Sequence, residues 1–367
     1  MKILVLTNIP SPYRVDFFNE WGKYCDLTVA FEKEASDERD NSWKKYQFTH
    51  FKGVLLKGKS VKTDMAICTE VIHYVKDPSF DRIIVMNLAT PTGMLAIQYM
   101  KMHRIRYWIE SDGGFSKKGR GLKERIKRYF VSGAEGYFST NQKHDEYYQA
   151  YGAEADRIHR YPFSPISESE IISSEGISEK EKHDLRVKLG IQEGFIILAV
   201  GQFIRRKGFD VLLKSDIELQ QQENVQIYIV GGKPSEEYLR LVEEYQLKNI
   251  HFIGFKNKNE IREYYRAADL FVLPTREDIW GLVINEALAN GLPVITTKRC
   301  GAGLQMLAEK EVGRLVDVDD TQALTKAILD IKHDPVLKEH MSQNAIAISR
   351  QYTIEKMVER HISVLNC

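Results

Sequence analysis

The segment Phe271-Val-Leu-Pro-Thr-Arg-Glu-Asp-Ile-Trp-Gly-Leu-Val-Ile-Asn-Glu-Ala-Leu-Ala-Asn-Gly-Leu-Pro-Val-Ile-Thr296 decides how the rest of the chain is read. Leu270 to Leu273 are apolar without alternation, which predicts a strand over 270–274 covered on both faces. An acidic loop follows, then a short helix. Asn290-Gly291 suits the stop of that helix, Pro293 forbids its continuation, and a second strand is expected over 293–297. Gly281 loosens the turn before the helix, so the amides of Leu282 and Val283 are offered to an anion. Glu286 lies four residues beyond Leu282 on the same helical face, about 6 Å along the axis. A phosphate at the helix start and a hydroxyl-bearing group one turn further would meet amides and a carboxylate.

Outward from this segment the pattern repeats. Strands are expected at 3–7, 26–31, 82–86, 105–109, 136–140 and 158–161, then at 195–200, 225–230 and 250–254, with helical stretches between them. This is a parallel α/β pattern. A chain of 367 residues suits two domains, each with its own core. The boundaries expected are 1–165 for an N-terminal domain, 166–352 for a serine- and glutamate-rich linker plus a second domain, and 353–367 for a terminal helix. The formal net charge is only +1, but the first 162 residues carry a surplus of lysine and arginine and the remainder a surplus of acids. The stretch 32–60 reads as strands or loops at a domain edge.

Other classes are less compatible with the chain. No stretch is apolar enough for a transmembrane helix, and the amino terminus does not read as a signal peptide. Four widely spaced cysteines fit a reducing cytoplasm rather than a disulfide framework. The ten histidines show no metal-ligating spacing, so no metal is expected. Asp317, Asp319 and Asp320 are better read as helix-capping residues before Thr321. No Gly-x-Gly-x-x-Gly follows the first strand, which argues against a dinucleotide dehydrogenase.

Asp278, Gly281-Leu282-Val283 and Glu286-Ala287 together resemble the donor-site motif of the family-4 retaining glycosyltransferases, including those of bacterial capsule, exopolysaccharide and lipopolysaccharide synthesis. The family motif has glutamate where this chain has Asp278, with Glu277 one residue out of register. The resemblance implies a GT-B fold, two Rossmann-like domains facing a central cleft, with the terminal helix crossing back to the first domain. It implies that the Leu282 and Val283 amides hold a diphosphate, that Glu286 grips the ribose and that Asp278 contacts the donor sugar. Gly201 is followed by Arg205-Arg206-Lys207-Gly208, where the family carries an arginine and a lysine. Lys207 with Arg206 (or Arg205) would stabilise the departing diphosphate. Gly231-Gly232 reads as a close-approach turn, and the strand end before Phe255 as the wall against the base. Gly301-Ala302-Gly303 reads as a flexible loop beside the donor sugar.

In the N-terminal half, Tyr13-Arg14 after the first strand are either cleft residues near the acceptor or the donor phosphates, or a helix start that merely packs. Thr90-Pro91-Thr92-Gly93 is a helix-start loop on the carboxyl side of the sheet, where open α/β sheets bind ligands, or simple capping. Glu110 and Asp112 end a strand where many relatives place a histidine. Asp112, with Glu110 nearby, is the candidate substitute, or else a turn aspartate. Residues 117–128 hold seven lysines and arginines, among them Lys117, Lys118, Arg120, Lys123, Lys127 and Arg128. Leu122, Ile126, Tyr129 and Phe130 share one helical face there. The segment reads as a contact with an anionic membrane, or as a solvated helix packed on the sheet; nucleic acid is not expected.

The expected activity is therefore retaining, metal-independent and cofactor-free transfer of a hexosyl or N-acetylhexosaminyl group. The donor would be a nucleotide-sugar, a UDP-sugar, and the acceptor a lipid-linked saccharide of a surface glycan, at the inner face of the cell membrane. Arg206, Lys207, Asp278, Glu286 and Asp112 are the catalytic candidates, Asp112 orienting substrates while the leaving phosphate assists deprotonation of the acceptor. A nucleotide-sugar epimerase and a catalytically silent partner subunit are the alternatives.

Overall fold

The computed structural model describes residues 1–34, 47–62, 64–115, 121–222, 224–308 and 310–366. The chain divides into two compact units, Met1–Pro165 with Ile354–Cys367, and Ile166–Thr353.

The first unit runs β1 (Lys2–Thr7), α1 (Pro12–Trp21), β2 (Asp26–Phe31), β3 (Lys52–Leu55), β4 (Lys59–Lys62), β5 (Met65–Ile67), α2 (Val71–Val75), β6 (Arg82–Val85) and α3 (Pro91–His103). It continues through β7 (Trp108–Glu110), α4 (Leu122–Val131), β8 (Gly136–Ser139), α5 (Gln142–Ala150) and β9 (Ile158–Arg160). Seven strands form a parallel sheet in the order β3-β2-β1-β6-β7-β8-β9, while β4 and β5 make a separate hairpin. Within the edge stretch 32–60 the described strands are β3 and the start of β4, with irregular backbone at 32–34, 47–51 and 56–58; residues 35–46 lie outside the described residues. Helix α3 starts where expected, because Thr90 caps it by accepting from the Gly93 amide at 3.0 Å.

The second unit runs α6 (Glu179–Leu189), β10 (Phe195–Val200), α7 (Phe209–Leu219), β11 (Val225–Val230), α8 (Glu236–Glu244), β12 (Ile250–Ile253), α9 (Lys258–Ala267), β13 (Leu270–Leu273), α10 (Leu282–Ala289), β14 (Val294–Thr297), β15 (Gly313–Val316), α11 (Thr321–His333) and α12 (Pro335–Ser349). Its six parallel strands lie in the order β12-β11-β10-β13-β14-β15. Ile197, Ile227, Leu270, Val272 and Ile295 are fully buried in its core. That explains why these strands read as continuous apolar runs: helices cover both faces. The direction of strand addition reverses between β10 and β13, so the loops after those two strands diverge at a switch point, where open α/β sheets bind ligands.

The last helix, α13 (Ile354–Leu365), belongs to the first unit, where His361 packs against Phe17, Trp21 and Phe138. Residues 301–303 are not a flexible loop. Gly301 and Ala302 are helical and Gly303–Leu307 form a π-helical turn, in which a side chain on Gly303 would meet the Thr296 methyl at 2.5 Å. Close packing, rather than mobility, is what the small residues serve there.

Helix α7 carries a buried acid. Asp216 accepts from the Asn249 amide at 2.8 Å through one oxygen, while its other oxygen and the Asn249 carbonyl oxygen have no partner. Burial pushes its carboxyl up to about 6. The unfolded chain releases this proton near pH 4, so between pH 4 and 6 the folded state holds more protons and stability falls as pH rises. Asp216→Asn should remove this loss. Its advantage over the wild type should grow by ~2 kcal/mol between pH 4.5 and 7.5 in denaturant titrations; a pH-independent difference would contradict the assignment.

Candidate functional site

The switch point of the second unit gathers most of the residues singled out above. The loop after β10 starts at Gly201, makes a 3-10 turn over Arg205–Lys207 and ends at Gly208, whose φ is 71°. The loop after β13 runs to Gly281, whose φ is 97°, and delivers the chain into α10. The two loops are laced together. The Arg276 amide and the Thr275 hydroxyl both donate to the Arg206 carbonyl at 2.8 Å, and Arg276 holds Asp210 through two bonds of 2.8 and 2.7 Å. They approach so closely that a side chain on Gly208 would collide with the Pro274 carbonyl.

This lacing sets the charged side chains. The Lys207 ammonium lies 2.6 Å from one oxygen of Asp278, and Arg206 lies 3.4 Å from the other while donating to the Glu277 carbonyl at 2.8 Å. Asp278 is clamped from its far side too: its amide donates to the Arg299 carbonyl and its carbonyl accepts from Gly301. The structure thus brings Arg206, Lys207 and Asp278 into one cluster, with Arg205 exposed beside it and its carbonyl taken by Arg276. Glu277, paired with Arg299, is turned away from it.

At the start of α10 the Leu282 and Val283 amides have no carbonyl one turn earlier, so the helix itself cannot satisfy them. One turn on, Glu286 is half-buried and accepts from the Tyr265 hydroxyl at 2.8 Å. Burial raises its carboxyl even though Tyr265 donates to it. Tyr265 was not legible in advance, because it comes from α9 and only packing places it there. The Gly231-Gly232 reading needs correction. It is Gly231 whose missing side chain lets the backbone approach the Gly201 carbonyl, whereas Gly232 faces open space. Phe255 is 53% exposed beyond β12, an unusual position for a large aromatic ring. Asp320 caps α11 through the Ala323 amide at 2.9 Å, and Asp319 and Asp317 pair with Arg276 and Lys298.

The first unit sorts its candidates into two groups. The cleft reading places Glu110 and Arg14 in reach of a ligand; the structure buries both, which for Arg14 is the packing alternative. Glu110 is fully buried and receives Arg14 at 2.7 Å, the Tyr161 hydroxyl at 3.0 Å and His361 at 3.1 Å. Burial alone would raise the Glu110 carboxyl, but Arg14 and His361 hold it down to about 2. The pair is an internal clasp tying α1, β7 and α13. Asp112 and Tyr13 remain accessible: Asp112 pairs with Arg14, receives the Tyr13 hydroxyl at 2.9 Å and keeps 43% of its side chain exposed. Beside Asp112, the Ser111 hydroxyl meets His144 at 2.9 Å. The Thr140 amide donates to the other His144 nitrogen, so the proton sits on the side facing Ser111, and burial pushes the ring down to about 3. A histidine does reach this strand end, but from α5 and as a neutral donor.

Lys117, Lys118 and Arg120 lie outside the described residues. Lys123, Lys127 and Arg128 follow on α4; Lys127 pairs loosely with Glu124, and Arg128 donates to the Ala150 carbonyl at 2.9 Å. The apolar face of α4 is not packed on the sheet. Leu122 is 72% exposed and Ile126 and Tyr129 are each 44% exposed, while Phe130 alone of the four turns toward the core.

Compared with solved structures, the whole chain superposes on the whole of Anabaena Alr3699/HepE, crystallised in complex with UDP, with a TM-score of 0.80 at 18% identity. The protein is of the GT-B class, an α/β protein of two Rossmann-like units. Residues 181–347 match the family model Glycosyl transferases group 1. Among curated proteins, an uncharacterized glycosyltransferase of Haemophilus influenzae is 31% identical over 48% of this chain and 51% of its own length. The lipopolysaccharide core biosynthesis glycosyltransferase LpsD of Rhizobium meliloti is 28% identical over 45% of this chain and 47% of its own. The matched region of the chain spans about half the length of these relatives.

Proposed function

We propose that this protein is a retaining glycosyltransferase that moves a hexosyl or N-acetylhexosaminyl group from a UDP-sugar to a lipid-linked saccharide, without a metal ion. The observation that carries the proposal is the switch-point cluster. Two cations from the loop after β10 stand beside the loop that opens α10, whose first amides are unsatisfied within the helix. Such a cluster suits the diphosphate of a nucleotide-sugar as ligand and as leaving group. On this reading a diphosphate displaces Asp278 from Lys207, freeing the carboxylate for a sugar hydroxyl, and Glu286 grips the ribose. Tyr13 and Asp112 orient the acceptor. The relative named for lipopolysaccharide core synthesis supports a lipid-linked acceptor. The exposed apolar stripe and flanking cations of α4 support its lying on an anionic membrane.

The test is a thermal-shift screen against UDP, GDP, ADP and their sugar conjugates. At a hundredfold excess over its dissociation constant, UDP should raise the melting temperature by about 5 °C, and Glu286→Ala should abolish most of that rise. Absence of any shift with every nucleotide would favour a silent, glycosyltransferase-like partner. Conversion of donor without acceptor would favour an epimerase.

A further inference from the structure

The first unit has a cation-rich recess at the end of its strands opposite to Asp112, which follows the carboxyl end of β7. A cavity of about 690 Å³ opens at the amino ends of β7, β8 and β9 and is lined by Lys101, Arg104, Arg106, Tyr107, Glu135 and Arg157, among others. The cations outnumber the acids that face them. Arg106 reaches Glu135 only at 3.4 Å while remaining 84% exposed, and Glu135 also accepts from the Trp108 indole at 3.2 Å. Arg157 pairs with Glu154 at 3.0 Å on the surface. Arg104 ends α3 in the left-handed region, with φ of 55°, and has no carboxylate within ion-pairing distance among the described residues.

The recess adjoins α4. Lys101 donates to the Tyr129 carbonyl, its ammonium lies 4.3 Å from the Tyr129 ring centre, and Gly133 and Ala134, just beyond α4, complete the rim. Tyr129 belongs to the same exposed stripe as Leu122 and Ile126. A helix lying on a bilayer would bring this pocket to headgroup depth. We propose that the pocket binds the phosphate of an organophosphate, the chemistry shared by an anionic phospholipid headgroup and a soluble phosphate ester. Its position beside α4 favours the lipid. The lipid source rests on the membrane reading of α4 given above; the phosphate site itself does not. Arg104 and Arg106 are the main ligands, because Arg104 has no carboxylate partner among the described residues and Arg106 has only the 3.4 Å contact with Glu135.

The experiment uses the full chain in two arms: co-sedimentation with vesicles of phosphatidylcholine, with and without phosphatidylglycerol, and calorimetric titration with glycerol 3-phosphate. Each is run on the wild type, on Arg104→Gln/Arg106→Gln and on Leu122→Ser/Ile126→Ser, with melting curves to show that the variants fold. A lipid site predicts that Arg104→Gln/Arg106→Gln lowers partitioning onto the anionic vesicles about tenfold or more and leaves the neutral vesicles unaffected. Saturable glycerol 3-phosphate binding that this variant loses, with no vesicle binding by any form, assigns the site to a soluble ester and sinks the membrane reading alone. Loss of anionic-vesicle binding only in Leu122→Ser/Ile126→Ser keeps the membrane reading and overturns the pocket. A wild type that binds neither probe overturns both.

Discussion

Lys207→Ala should lower the rate of sugar transfer by about a hundredfold, the scale seen when one preorganised charge-stabilising group is removed from an active site. The reason lies in the position of Lys207. Its ammonium is mostly buried, held 2.6 Å from Asp278 by the lacing of two loops, so on the proposed function a diphosphate would meet a charge already desolvated and aimed. Removing it does more than delete one attraction. Asp278, amid a cluster that then keeps only the half-exposed Arg206, becomes a repulsive charge beside the leaving group. Arg206→Ala should therefore cost less, roughly tenfold, because a half-exposed cation is screened by water. The measurement is turnover of a UDP-sugar at saturating acceptor, with kcat and KM separated. An effect confined to KM would mean that Lys207 holds the donor without stabilising the transition state; wild-type turnover would remove it from the site.

The second large effect is on folding. Glu110→Ala should destabilise the first unit by about 3–5 kcal/mol, since it leaves the buried Arg14 guanidinium without one of its two carboxylates and strips the acceptor from Tyr161 and His361. A loss of that size corresponds to a fall of roughly 10 °C in melting temperature. The carboxyl is held near 2 in the folded state against about 4.3 in the unfolded chain, so its stabilisation is present above pH 5. It is lost as pH falls toward 2, because the unfolded state then binds the proton first. Acid unfolding of Glu110→Gln should accordingly start from a lower plateau and show a shallower dependence on pH between 5 and 2. Circular dichroism melts across that range would reveal it, and parallel curves for variant and wild type would contradict the assignment.

Both predictions rest on contacts that are invisible along the chain. The run Phe195–Val200 and the run Leu270–Leu273 announce strands because burial on both faces demands unbroken apolar residues. Helix α6 announces its ends through Ser178, which accepts from the Glu181 amide, and Gly190, which takes the left-handed conformation. Gly281 announces the start of α10 for the same local reason. Other features have no local signal. Glu110 and Asp112 look alike in sequence, two acids at a strand end. Glu110 lies within β7, where the return of α13 buries it against His361, whereas Asp112 lies two residues past the strand end and stays partly in solvent. Tyr265 and His144 reach their partners from neighbouring helices, at separations that no motif spacing encodes.

What the sequence by itself determined was therefore set by neighbours within a few residues. Strand runs, helix caps and the glycine-opened start of α10 depend on local backbone preference and burial pattern, and so did the likeness to the glycosyltransferase donor motif. The tertiary structure alone decided charge pairing and exposure. The Lys207–Asp278 contact joins residues brought together only where the strand order reverses, and the exposure of Leu122, Ile126 and Tyr129 depends on what does not pack against α4. The physical reason is the range of the forces. Backbone conformation is settled over a turn or two, whereas the fate of a charge or an apolar side chain is settled by whichever distant segment the fold places beside it.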